Sequence, residues 1–244
     1  MKINLIMPMG GAGTRFADNG YECPKPLLPL GDRHFFEWAT DSVRGHVELE
    51  SLTFVVLKEH IEKFGIDKKI KKYAPEADIC VLDHVLNGAV LTCMEGARAI
   101  KNDAPIIFCD CDLTFTCGAL YEYYKKDART ADGTLVTFES DLPRYSYVRK
   151  NESGYVVETA EKKVISHEAI CGAYGFGNKD IFLNAAEKYM DTCPYNEYFM
   201  SGIYNLIIEQ GGKVMSFPTD KMISFGTPDE YEKARSLVNA YSDQ

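Results

Sequence analysis

Apolar and polar positions along this chain alternate between two periods. Residues 3–7 form a short apolar run, closed at once by Pro8 and glycines, and predict a first strand. Over 35–43 the apolar residues Phe35, Trp38, Ala39 and Val43 share one helical stripe. Residues 52–57 are the next apolar run. Residues 58–73 are helical in character but mostly charged, and their lysines read as a solvated helix face rather than a binding patch. Residues 78–82 predict a strand, 89–100 a helix with Val90, Met94, Ala97 and Ile100 at helical spacing, and 105–109 another strand. Such strand–helix alternation predicts an α/β domain with parallel strands and helices on both faces.

The second half is less regular. Residues 134–139 are β-rich. Asn151-Glu152-Ser153-Gly154 is a turn signal between two β-like runs, so 145–159 predicts a hairpin. Residues 170–176 and 213–217 read as strands, 180–190 and 197–209 as helices, the latter ended by Gly211-Gly212. Pro228 suits the first turn of a last helix to about 241, with Thr227 as its N-cap. No linker or repeat interrupts 1–244. The expectation is one domain: a first part over about 2–130, an inserted β-rich part over about 131–225 and a terminal helix over 227–241.

Composition narrows the function classes. With 244 residues and 45% hydrophobic content the chain can bury a sizeable core. Its 27 basic and 36 acidic residues give a net charge of −9, which repels nucleic acid and anionic membranes. The first apolar run is too short for a signal peptide or a membrane span. Eight cysteines without any C-x-x-C suit a reducing, cytoplasmic setting better than a disulfide scaffold or zinc ribbon. Cys109 and Cys111 read first as packing residues.

The richest chemistry lies in Met9-Gly10-Gly11-Ala12-Gly13-Thr14-Arg15, directly after the first strand. Glycines let the backbone approach a ligand closely, and successive N–H groups form a concave anion site. A dinucleotide-binding loop would need a third glycine where Phe16 stands, although Glu37 lies at a tempting distance for a ribose. A P-loop would need a Lys-Ser/Thr pair that is missing. The reading that uses the neighbours is a triphosphate site: Arg15 offers a planar fork, and Lys25, between Pro24 and Pro26, a compact charge. Alone, each cation reads as a solvated surface charge. Together with the loop they suit a leaving pyrophosphate. Asp110 and Asp112 follow the strand at 105–109, where carboxylates reach the ligand edge of a parallel sheet and could hold Mg²⁺. The plainer reading has them cap the next helix or face solvent.

The sequence MPMGGAGTRFADNGYECPKPLLPL resembles the sugar-phosphate nucleotidyltransferases, whose signature is G-x-G-T-R followed by P-K-P-L, and looks closest to a branch associated with capsule and lipopolysaccharide precursors. The resemblance covers about residues 2–240. It implies a Rossmann-like three-layer α/β/α fold with a mostly parallel mixed sheet and a small β-rich substrate region. It implies transfer of a nucleoside monophosphate from a nucleoside triphosphate to a sugar 1-phosphate, with Mg²⁺ as cofactor and pyrophosphate as second product. Arg15 and Lys25 would be the catalytic cations. Met9, Gly10, Gly11, Ala12, Gly13 and Thr14, with Asn87 and Gly88, would bind the nucleotide. Asp112 would be the main metal ligand, with Asp110 beside it. Glu161 would accept sugar hydroxyls and Lys162 hold the acceptor phosphate, with Gly172 and Tyr198 beside the same pocket.

One departure stands out. The family often has an aspartate two residues before Gly-Thr-Pro, as a second metal ligand, and here Ser224 occupies that place. Asp220 is the nearest acid, four residues out of register. Three alternatives stay open: phosphocholine or another phosphorylated alcohol as acceptor, a glycosyltransferase using Asp110-x-Asp112, and a nucleotide-sensing protein without catalysis. The base and sugar are not legible, and a homodimer is left open.

Overall fold

In a computed structural model, which describes residues 1–126 and 130–242, strand β1 (Ile3–Met9) sends its side chains to two cores. Ile3, Leu5, Met7 and Met9 enter one apolar cluster and Ile6 the other. Both faces of this strand are covered, which is why it reads as a continuous apolar run. Beside it lie β4 (Leu49–Leu57) and β6 (Ile106–Cys109), and β5 (Asp78–Leu82) pairs with β4, all parallel. β11 (Glu168–Phe176) runs antiparallel to β6 and carries the sheet into the β-rich half. There it is flanked by β8 (Gly133–Glu139) and by the β9–β10 hairpin (Tyr147–Lys150 and Val156–Ala160), while β12 (Val214–Pro218) adds to β8. The result is one nine-stranded mixed sheet.

Helices cover both faces. α2 (Phe35–Arg44), α4 (Ile66–Tyr73) and α6 (Gly118–Lys125) contribute Phe36, Ala39, Val43, Ile66, Ile70 and Tyr124 to the first core. α5 (Ala89–Ala99), α7 (Lys179–Thr192) and α8 (Met200–Glu209) contribute Val90, Met94, Phe182, Ala186, Ile203 and Tyr204 to the second. Each of the fully buried Val, Ile, Met and Phe side chains among them stabilises the fold by about 1.5–3 kcal/mol before entropy is counted. The expected three-layer α/β/α architecture is therefore present.

Two expectations are corrected. The helix anticipated over 58–73 is two helices, α3 (Lys58–Phe64) and α4, because Gly65 adopts φ 61° and breaks the hydrogen-bond ladder. The helix anticipated from 197 begins at Met200 instead. Its would-be first turn is a strap: Tyr198 N donates to Asn87 O, just before α5, at 3.5 Å, and Val90 N, in the first turn of α5, donates to Tyr198 O at 3.2 Å.

Small elements complete the frame. α1 (Thr14–Ala17) follows the glycine loop, β2 (Pro29–Leu30) pairs with β3 (Arg33–His34), and β7 (Leu113–Thr116) with β13 (Lys221–Ser224). α9 (Pro228–Ser242) starts at Thr227, whose Oγ1 accepts from Glu230 N. A third cluster of Phe16, Phe35, Phe225, Tyr231 and Ala234 joins α1 to α9. Among the described residues, no helix is long and apolar enough to cross a membrane.

Candidate active site

β1 and β6 are parallel neighbours, so the segments leaving their carboxyl ends emerge side by side. From β1 comes the glycine loop, from β6 the pair Asp110 and Asp112. Gly13 takes φ 62°, a left-handed turn that an L side chain resists, and its carbonyl accepts from Phe16 N and Ala17 N. A Cβ on Gly10 would lie 2.6 Å from Leu82 Cδ1, so the loop is pressed on β5 there, whereas Gly11 has open space above it.

Two clefts meet at these loops. The first, of about 440 Å³, is lined by Met9, Gly11, Ala12, Gly13, Thr14, Lys25, Gly88, Thr92 and Glu197. The second, of about 420 Å³, is lined by Arg15, Arg144, Tyr145, Ser146, Gly172, Tyr174, Thr227 and Glu230. Asp110 and Asp112 line both, so they form the shared wall.

The two cations separate. Lys25, in a single 3-10 turn (Lys25–Leu27), donates from Nζ to Asp112 Oδ2 at 2.8 Å in the first cleft. Burial works against its charge, but Asp112, Cys111 and Asp110 outweigh that and hold the ammonium above the usual lysine range. Arg15 lines the second cleft, and its guanidinium pairs with no described residue. Asp110 is pushed up to about 7, first by burial and then by the Asp112 charge, with Lys25 acting in the opposite sense and Glu161 adding to the rise. Its carboxylate accepts no hydrogen bond from any described residue; its backbone N–H donates to Gly172 O at 2.9 Å and its carbonyl accepts from Cys109 Sγ at 3.5 Å.

Gly172 is needed for that arrangement. At φ 83° a Cβ would lie 2.8 Å from Asp110 Oδ2 and 2.7 Å from Leu113 Cδ2. Gly88 has a similar role on the first cleft: at φ 98° its Cβ would meet Tyr198 N at 2.5 Å. Gly226 sits against Asp112, since a Cβ there would lie 2.7 Å from Asp112 Oδ2 and 3.6 Å from Glu230 Oε2.

Other expected site residues lie outside the lining of both clefts. Asn87 donates from its side chain to Asn196 O at 3.1 Å. Tyr198 packs edge-on against Tyr189. Lys162, at φ 52° the one described non-glycine residue with positive φ, lies over the Phe199 ring at 4.3 Å and 4.0 Å from Glu197 Oε1. Glu161 Oε2 accepts from Ser201 Oγ at 2.8 Å and from Ser146 Oγ. Glu37 closes a capping box with His34 at the start of α2, which removes it as a ribose ligand. Asp220 caps α6 by accepting from Gly118 N at 2.7 Å.

Beside the departure at Ser224 the structure supplies another acid. Ser224 Oγ donates to Glu230 Oε2 at 2.9 Å, and Glu230 also takes Arg144 and Tyr145 OH. Among the described residues no three His, Cys, Asp or Glu side chains are grouped to hold an ion by themselves. Tyr174 was not anticipated from sequence: it lines the second cleft, and its hydroxyl bonds no described residue. Burial, with Asp110 and Glu161 nearby, pushes that phenol up, so it remains a donor.

Comparison with known proteins places these features. The family model described as nucleotidyl transferase matches residues 3–240. A D-glycero-alpha-D-manno-heptose 1-phosphate guanylyltransferase from Campylobacter jejuni is 24% identical over 239 residues, covering 94% of this chain and 97% of that protein. The structure of a nucleoside-diphosphate-sugar pyrophosphorylase from Vibrio cholerae superposes with a TM-score of 0.81 at 21% identity, over 95% of this chain and 99% of that one. A UDP-glucose pyrophosphorylase complexed with UDP-glucose superposes at 0.78 and 18% identity over the whole of both chains.

Proposed function

This chain belongs to the nucleotidyl transferase family, and we propose that it transfers a nucleoside monophosphate from a nucleoside triphosphate to a sugar 1-phosphate, releasing pyrophosphate. The observation that carries this reading is the pair of clefts meeting at Asp110 and Asp112. One is floored by the glycine loop; the other is lined by the Arg15 guanidinium, which pairs with no described residue. Two anionic substrates can thus approach one point from two sides, which is the positioning that phosphoryl transfer requires.

In this reading the triphosphate follows the loop N–H groups of Gly11 to Thr14, and Lys25 balances the charge that builds on the leaving pyrophosphate. Arg15, without a side-chain partner among the described residues, meets the phosphates from the acceptor side. The acceptor phosphate attacks the α-phosphorus in line. A phosphate monoester near neutral pH is already a nucleophile, so no residue need act as general base.

Asp110 and Asp112 suit a divalent cation. Two adjacent carboxylates repel each other, and no described residue donates a hydrogen bond to the Asp110 carboxylate to relieve it. Mg²⁺ takes oxygen ligands and shares its shell with phosphates and water, so two carboxylates suffice. When bound, such an ion would neutralise charge on the reacting phosphates. Similarity to a D-glycero-alpha-D-manno-heptose 1-phosphate guanylyltransferase supports a sugar 1-phosphate as the acceptor class, and the resemblance of the glycine-loop segment to the capsule and lipopolysaccharide branch supports a role in surface-polysaccharide precursors. Nucleoside triphosphates and eight free thiols support a cytoplasmic setting.

The test crosses the four common nucleoside triphosphates with a panel of sugar 1-phosphates and phosphocholine, with and without Mg²⁺. Pyrophosphate release that needs one nucleotide, one sugar 1-phosphate and the metal is the expected result. Nucleotide binding without release from any pair would overturn it.

A further inference from the structure

Ser146 precedes β9 and lines the second cleft, while its hydroxyl points back to Glu161 Oε2. A carboxylate can only accept, so the Ser146 proton is committed to Glu161. The same oxygen takes the hydroxyl of Ser201, a buried residue in the first turn of α8. Glu161 is therefore fixed from two sides and stays behind Ser146 rather than in the cleft wall. A hydroxyl whose proton is spent in this way has only lone pairs left to offer. At this point the cleft wall accepts hydrogen bonds and does not donate them.

Resting on the proposed transfer to a sugar 1-phosphate, we infer that Ser146 is a specificity-determining residue: its oxygen, with the proton fixed on Glu161, accepts a hydrogen bond from one hydroxyl of the acceptor. Tyr174 supplies the complementary chemistry, since its phenol keeps its proton and its hydroxyl bonds no described residue. Between them stand an obligate acceptor and a donor, the pair that a hydroxyl-bearing ring can satisfy together. Phosphocholine offers a trimethylammonium there, which has no donor for Ser146. The assignment also gives Ser201 a positioning role, because without it Glu161 could turn and release the Ser146 proton.

The experiment compares wild type, Ser146→Ala and Ser146→Thr by pyrophosphate release, using the best sugar 1-phosphate of the panel and its monodeoxy analogues. Ser146→Ala should raise the acceptor KM about three- to tenfold, the size of one hydrogen bond, and leave the nucleotide KM within about twofold. Ser146→Thr, which keeps the hydroxyl, should restore most of the loss. Wild type should discriminate against one deoxy analogue in particular, and Ser146→Ala should lose that discrimination alone. An unchanged acceptor KM in Ser146→Ala, or an equal rise for nucleotide and acceptor, overturns the assignment while leaving the transfer reaction standing. Release by wild type with phosphocholine and no sugar 1-phosphate overturns the assignment and the sugar 1-phosphate acceptor together, leaving nucleotidyl transfer as such. Release from no pair removes both.

Discussion

Lys25 Nζ lies 2.8 Å from Asp112 Oδ2, an ion pair between residues 87 positions apart. It ties the proline-flanked turn after the glycine loop to the end of β6, so the loop and the acidic pair are held in one register. Four consequences of this site and its surroundings can be measured.

Lys25→Ala removes the only cation bonded to the acidic wall among the described residues. We expect kcat/KM for pyrophosphate release to fall about 10²–10⁴-fold, as for loss of a charge that acts in the transition state. Because Asp112 and the crowded Asp110 lose their counter-charge, unfolding in urea should also show a loss of about 1–2 kcal/mol, the partial solvent access of the pair keeping the figure low.

Arg15→Ala should separate activity from stability. Arg15 is exposed and has no described partner, so urea unfolding should change by no more than about 0.5 kcal/mol. Turnover should nevertheless fall by orders of magnitude, and Arg15→Lys should recover little, since an ammonium lacks the planar fork. Near-wild-type turnover in Arg15→Ala would end its assignment to the phosphates.

Gly172→Ala tests how tightly the wall is built. The new methyl meets Asp110 Oδ2 and Leu113 Cδ2 below 3 Å, at a φ of 83° that alanine resists. A loss of about 2–4 kcal/mol in urea unfolding is expected, with activity falling further because Asp110 must move. A variant as stable and active as wild type would show that Asp110 can shift freely.

His60 makes stability depend on pH. Its imidazole is buried with Nδ1 unpartnered, and burial, more than the opposing Glu59 charge, lowers its pKa from 6.5. Below about pH 6.5 the unfolded chain therefore takes up a proton that the folded chain refuses. Stability present above that pH is lost as pH falls, at no more than about 1.4 kcal/mol per pH unit. His60→Leu should flatten the difference in urea stability between pH 7.5 and 5.5; an unchanged slope would show that His60 is accessible to protons in the fold.

Much of this was legible because it is local. The strands β1, β4 and β6 are buried on both faces, so they read as apolar runs, and the glycine loop with Arg15 and Lys25 is contained within 25 residues. The parts that were missed depend on distant pairing. β7 and β13 are four residues each, and each finds its partner more than a hundred positions away. Arg144 reaches Glu230 across 86 positions and Ser201 reaches Glu161 across 40. No periodicity announces such contacts. Gly65 was visible as a residue, but a lone glycine in a charged helical stretch did not by itself reveal a break. Ser224 marked a missing carboxylate, and only the fold shows that its hydroxyl instead holds Glu230.

The aromatic cluster behind the glycine loop has a consequence for how the protein is made. Phe16 meets Tyr231 ring to ring at 6.2 Å, and Tyr231 OH donates to Pro29 O at 2.6 Å. The segment around Phe16 is thus braced by a helix that follows it by about two hundred positions in the chain. Until α9 docks, the loop lacks one wall of its support, so a nascent chain can form most of its sheet before the loop is held in place. A settled loop then reports that synthesis has passed α9.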